Sequence, residues 1–199
     1  MKGWTMKRTL LAVLIASSAV AMPAVAVDTD AVIGGALGGA AGAAVGSAIG
    51  GRDGAIVGAG TVLSVRAVRE VAEAGGQIII SPNTNPAVIA ATKAAGLIAF
   101  PAFFTPTEAF AAIEAGADAL KFFPAETAGP AALKAIKAVL PPEMPVFPVG
   151  GVEPGNLPGW RAAGADGFGL GSALYKPGFS AEQVGSAAGA FVAAWRAGA

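Results

Sequence analysis

The sequence predicts a parallel α/β fold of about six βα units preceded by a glycine-rich helical segment. Three observations predict it. From about residue 56 onward, short apolar runs alternate with amphipathic, Ala-rich segments, at a spacing of about 21 residues. The short runs are apolar throughout rather than alternating, as burial on both faces of a sheet requires. Glycines stand at positions 75, 96, 116 and 164, directly after amphipathic segments, where a helix C-terminus needs a left-handed residue. Such a repeat is a (β/α) barrel or an open doubly wound sheet, and six units fall short of the eight that close a barrel.

The expected strands are residues 56–63, 77–81, 97–101, 119–123, 146–149 and 167–170. The expected helices are 65–74, 86–95, 107–115, 130–139 and 154–163, with a last one over 181–195. Pro86, Pro130 and Pro154 stand near helix starts, where a missing N–H costs nothing. The unit 56–199 forms one domain of the chain. Two segments of different character precede it.

Residues 1–27 read as an export signal. Lys7 and Arg8 form a positive start, residues 10–20 a short apolar stretch, and Ala24-Val25-Ala26 a small-residue cleavage pattern. Residues 28–55 change composition. Glycine recurs every four residues from Gly34 through Gly58, and residues 31–51 carry no charge. As a helix at 1.5 Å per residue, that run would reach about 30 Å, one bilayer core. Glycines at i, i+4 leave a flat stripe on which a second helix packs closely in a membrane. In water each would destabilise a helix by about 1 kcal/mol. The segment is therefore a packed helix contacting a membrane through residues 31–54 or a flexible linker, and the unbroken period favours the helix. It resembles the glycine-zipper segments of small bacterial envelope proteins.

Composition excludes several classes. Hydrophobic residues make up 54% and charged residues 13%, so the chain is not disordered. Thirteen basic residues balance thirteen acidic ones, which leaves no excess charge for a nucleic acid. The absence of Cys and His removes thiol nucleophiles, thiolate metal sites and the commonest general base. Any catalysis must rest on lysine, carboxylates, hydroxyls or backbone groups, with no metal and no cofactor expected.

In parallel α/β folds the site lies at the carboxyl ends of the strands. There Lys121 interrupts an apolar run between Leu120 and Phe122-Phe123. Burial disfavours an ammonium, and a neutral amine attacks a carbonyl to form a Schiff base. A lysine reaching past the strand end to solvent is the other reading. Gly150-Gly151 and Gly171-Ser172 follow the last two strands, where barrel loops commonly bind phosphate through backbone N–H groups. Ordinary turn glycines are the alternative there.

Six motifs in order now carry a resemblance: G-A-G-T-V-L (58–63), S-P-N-T (81–84), T-P-T-E-A-F (105–110), A-L-K-F-F-P-A-E (119–126), V-G-G-V (149–152) and G-L-G-S-A-L-Y (169–175). Residues from about 56 to 197 resemble the class I aldolases for 2-keto-3-deoxy-6-phospho sugar acids, the galactonate branch most closely. The resemblance implies an incomplete (β/α)8 TIM-type barrel. It implies cleavage of the gluconate or galactonate acid to pyruvate and glyceraldehyde 3-phosphate. It matches Lys121 to the Schiff-base lysine and Thr61, Pro82 and Phe123 to the pyruvoyl end. Gly150, Gly151, Gly171 and Ser172 match the phosphate site. It implies a cytoplasmic homotrimer, whereas residues 1–27 imply export. The sequence departs from the family where the first two βα units, with a general-base Glu and a carboxylate-binding Arg, would stand, so the expectation is an aldolase impaired by their absence. It departs also at Ala102, Phe104 and Pro148, where Gly, a small residue and Ala are usual. Six strands instead of eight leave two edges that the glycine segment is not expected to cover. The competing readings are a non-enzymatic envelope protein working through the glycine segment, and a fusion without activity.

Overall fold

A computed structural model of the chain describes residues 43–45, 56–176 and 178–197. The expected export signal, and all of the glycine segment except residues 43–45, lie outside the described residues. Six strands form one sheet in sequence order: β1 (Ala43–Val45), β2 (Ile56–Ala59), β3 (Ile78–Ser81), β4 (Ile98–Phe103), β5 (Leu120–Phe122) and β6 (Val146–Pro148). All neighbours from β2 to β6 pair in parallel, as continuous apolar strands joined by helical crossovers must. The helices are α1 (Val65–Glu73), α2 (Pro86–Ala94), α3 (Pro106–Glu114), α4 (Ala125–Lys137), α5 (Leu157–Ala162) and α6 (Ala181–Ala197).

Local chemistry sets the helix starts. Ser64 accepts from the Ala67 N–H, and Asn85 accepts from the N–H groups of Ala87 and Val88 ahead of Pro86. Thr105 and Glu108 form a reciprocal capping box around Pro106. The four predicted C-terminal glycines all adopt positive φ, from 73° at Gly96 to 97° at Gly116. Gly129 also has positive φ (73°) and kinks α4, so a first turn on Ala125 precedes the helix that Pro130 was expected to begin.

Several expectations are corrected. Residues 43–45 form a strand, not a helix: β1 runs antiparallel along β2, pairing Ala43 with Gly58 and Val45 with Ile56. The edge of β2 is thus covered by main-chain hydrogen bonding, which needs no large apolar side chains. The expected strand over 167–170 reduces to a single bridge between Val149 and Gly169. Helix α5 begins at Leu157 rather than Pro154. The Asn156 side chain accepts from the Glu153 N–H and donates to the Gly151 carbonyl, holding 153–156 in a turn that competes with the helix.

Strand alternation divides the core. Ile80, Phe100 and Phe147 cluster on the inner face, with Ile78 and Ala119 against them. The outer face packs on the helices: Leu120, Phe122, Leu133, Val146 and Trp160 belong to one cluster, and Val62, Val68, Val71, Ile79 and Val88 to another. At the amino ends of the strands two ion pairs act as clasps. Lys93 reaches Asp118 (2.6 Å), whose carboxylate also accepts from the Ala99 N–H, and Lys137 reaches Asp166 (2.7 Å), which accepts from the Val146 N–H. Lys137 is thereby partly covered.

Leu133 anchors α4 with its side chain fully buried. Leu133→Ala is expected to cost about 2–5 kcal/mol, a deletion plus an unfilled cavity, read as a lower urea midpoint at unchanged slope.

Candidate active site

The site is assembled by the register of the parallel strands. Lys121 on β5 is level with Ala102 on β4 and with Phe147 on β6. Ser81 on β3 is level with Pro101, one residue below Ala102. Ala59 on β2 is level with Ile79, so Thr61, two residues on, comes level with Ser81. Thr61, Pro82, Lys121 and Phe123 therefore all lie at the carboxyl end of the sheet, at the mouth of the barrel portion.

Because Leu120 and Phe122 belong to the outer core, alternation turns Lys121 inward. It is 4% exposed. Its Nζ stands 4.2 Å from the centroid of the Phe123 ring. Beside it are buried Ala102 and Phe147. No carboxylate lies within ion-pair distance of it among the described residues. Burial pushes its ammonium pKa from the ordinary 10.5 down to about 8. A substantial fraction is then neutral near physiological pH, with its lone pair available to a carbonyl.

Thr61 is exposed at the rim with φ of 61°, a left-handed conformation rare for a β-branched residue. Pro82 and Phe123 are half-buried. The loops carrying Gly150-Gly151 and Gly171-Ser172 are stitched together below by the Gly169 N–H donating to the Pro148 carbonyl (2.9 Å). The N–H groups of Gly151, Gly171 and Ser172 donate to no acceptor among the described residues. Gly150 and Gly151 have φ of 104° and 64°. The Glu126 side chain lies directly against both: a Cβ on Gly150 would collide with its carboxylate, and one on Gly151 would come within 2.6 Å of Glu126 Cβ. Glycine is required for conformation at both positions, and for space at Gly151, since the Glu126 carboxylate beside Gly150 can swing aside.

Two features of the mouth escape a reading of sequence. Glu126 reads as a helix-leading acid, whereas its side chain packs on the glycine loop of the next strand. Ser81 and Thr84 sit in the S-P-N-T motif without an evident role. In the structure Ser81 Oγ donates to the Val62 carbonyl (2.7 Å) and Thr84 Oγ1 to the Ala102 carbonyl (2.8 Å), tying each loop to the neighbouring strand. A short hydroxyl residue just past a buried strand is the signal for such ties, but it names no partner.

Two outcomes follow from this geometry. Gly150→Ala is expected to cost about 1–2 kcal/mol for the left-handed φ, read by urea denaturation, and adding Glu126→Ala should recover little of it, because the exposed Glu126 carboxylate can swing aside. Lys121→Met should be more stable than the parent at pH 7, because it removes a buried charge. The folded pKa lies below the unfolded one, so the folded state loses its proton first and the parent gains stability as pH rises from about 8 toward 10.5. The advantage of Lys121→Met, measured by denaturation at pH 7 and at higher pH, should shrink over that window.

Comparison with known proteins agrees with this arrangement. The family model for KDPG and KHG aldolase matches residues 35–185. The chain is 49% identical over 142 residues to a probable 2-dehydro-3-deoxy-6-phosphogalactonate aldolase of Rhizobium meliloti (strain 1021), covering 71% of this chain and 67% of that one. It is likewise 49% identical to the 2-dehydro-3-deoxy-6-phosphogalactonate aldolase of Escherichia coli (strain K12), covering 71% and 69%. A solved structure described as "Native KDPGal structure" superposes with a TM-score of 0.72 at 49% identity, covering 73% of this chain and 71% of that one. With Lys121 buried at the strand end and the family model spanning most of the chain, this protein belongs to the KDPG and KHG aldolase family of class I, Schiff-base lyases.

Proposed function

We propose that the chain cleaves a 2-dehydro-3-deoxy-6-phospho sugar acid, of the galactonate or gluconate series, to pyruvate and glyceraldehyde 3-phosphate. The single observation that carries this reading is Lys121: an amine buried at the carboxyl end of a parallel strand, its pKa lowered to about 8 by desolvation. The neutral amine adds to the C2 carbonyl to give a carbinolamine, which loses water to an iminium. The iminium withdraws electrons from the C3–C4 bond. As the C4 hydroxyl gives its proton to water, the C3–C4 bond breaks, glyceraldehyde 3-phosphate leaves, and the bonding pair becomes the C2–C3 double bond of an enamine on Lys121. Protonation at C3 and hydrolysis then release pyruvate and restore the amine.

The assignments at the ends of the substrate support this direction. Phe123 covers the amine and Ala102 stands beside it, so the walls at the reacting carbon are apolar. In this reading Thr61 and Pro82 contact the pyruvoyl portion, and the N–H groups of Gly151, Gly171 and Ser172, with the Ser172 hydroxyl and the turn at Gly150, receive the phosphate.

The test is reductive trapping. Borohydride added with pyruvate should attach the three-carbon acid to Lys121 and to no other lysine, as mapped on peptides. The initial trapping rate should rise with pH through about 8, as the neutral amine forms. Label on Lys93, Lys134 or Lys137, or label persisting in Lys121→Arg, would remove the assignment.

A further inference from the structure

We infer that Glu126 is a specificity-determining residue at the far end of the substrate: its unpaired carboxylate, resting on the Gly150-Gly151 loop, admits a singly charged, protonated phosphate and disfavours a doubly charged anion. The inference deepens the reading of the site proposed above and rests on that loop receiving the phosphate. Glu126 stands on the first turn of α4, ahead of the kink at Gly129. Main-chain bonds place that turn beside the loop. The Ala125 N–H donates to the Val149 carbonyl (2.9 Å), and the Val149 N–H donates to the Phe122 carbonyl (3.0 Å). A Cβ on Gly151 would stand 2.6 Å from Glu126 Cβ, and one on Gly150 would meet the carboxylate itself. The stem of the side chain is therefore fixed against the loop. The carboxylate, two bonds further on, is free to change rotamer, but every rotamer keeps it within a side chain's length of Gly151.

Glu126 is exposed, and its carboxylate joins no ion pair and accepts no hydrogen bond among the described residues. Glu108, by contrast, is committed to the cap of α3. The charge of Glu126 therefore acts on whatever the loop holds. Two unit charges about 6 Å apart in water shift an equilibrium roughly threefold. At that separation a doubly charged anion loses roughly tenfold at the loop and a singly charged one roughly threefold. A phosphate that keeps one proton has the smaller charge. It also has a hydroxyl to donate to the carboxylate, which makes a charge-assisted bond. Phosphate esters exchange that proton near about pH 6, so both forms are present around neutrality. Sulfate carries both charges and has no proton to donate.

The experiment titrates inorganic phosphate and sulfate into the isotope-labelled full chain at about pH 6, where phosphate keeps a proton. It follows the amide resonances of Gly151, Gly171 and Ser172. The parent should bind phosphate more tightly than sulfate. Glu126→Gln keeps the shape of the side chain and removes its charge. It should lower half-saturation by sulfate roughly tenfold and by phosphate roughly threefold or less, so the preference of the parent shrinks. Glu126 has no partner to lose, and the remaining amides of the same spectrum check that the variant is folded. Glu114→Gln is the control for net charge. It removes an exposed carboxylate from the last turn of α3, at the far end of that helix from the mouth, and should leave both titrations unchanged. An equal gain for the two ions, no gain for sulfate, or the same change in Glu114→Gln would overturn the inference and leave the phosphate reading standing. Amides that respond to neither ion, in the parent and in Glu126→Gln alike, would overturn the phosphate reading and the inference with it.

Discussion

The alternation of β5 is the constraint on which the rest of the structure depends. Leu120 and Phe122 are fully buried and must face the helices, where Phe122 meets Phe103 and lies edge-on to Trp160. The residue between them can only face inward. That residue is Lys121, and the inner layer it enters is made of Phe100, Phe147 and Ile80. Apolar packing on one side of a three-residue strand therefore forces an amine into an apolar interior on the other. The lowered pKa is the direct result, and the reactive state follows from the same packing that stabilises the sheet. A one-residue slip in register would expose Phe122 to the interior and send Lys121 into the helix layer.

The two ends of the barrel portion are held by different chemistry. At the amino ends, Asp118 and Asp166 each join a helix lysine to the N–H of a neighbouring strand's first residues. These contacts are far from Lys121 and bear on stability. At the carboxyl ends, neutral hydroxyls take over: Ser81 to Val62, Thr84 to Ala102, and the capping box of Thr105 with Glu108. The Phe104 N–H, helped by the N–H and hydroxyl of Thr105, holds the Glu108 carboxyl below the usual carboxylate range. Glu108 stays ionised in its cap and is committed to structure. The Ser81 and Thr84 ties bring no charge to Lys121, whose pKa is lowered by desolvation.

Glu126 stands out against that pattern. It leads α4, where a negative charge complements the helix N-terminus, and it also fills the space that side chains at Gly150 and Gly151 would occupy. The glycine loop and the first turn of α4 are therefore shaped by each other. The kink at Gly129 lets this first turn lie against the loop while the rest of α4, from Pro130 onward, packs Leu133 into the core.

Much of this was legible in the residues themselves. Period and composition determined the parallel α/β class, the glycine and proline punctuation marked the helix ends, and the break in an apolar run singled out Lys121. These are local signals, written within one element. The strand at Ala43–Val45 and the reduction of 167–170 to one bridge were decided by main-chain partners in other elements, and the helix start at Leu157 by a local turn on the Asn156 side chain. The depth of Lys121, the contact of Glu126 with Gly150, and the hold of Ser81 on Val62 are likewise products of register. They join residues 19 or more positions apart, as with Ser81 and Val62, and only the stacking of parallel strands brings such residues level. A sequence specifies which side chains can do chemistry. Which of them meet, and in what dielectric, is settled when the sheet closes around them.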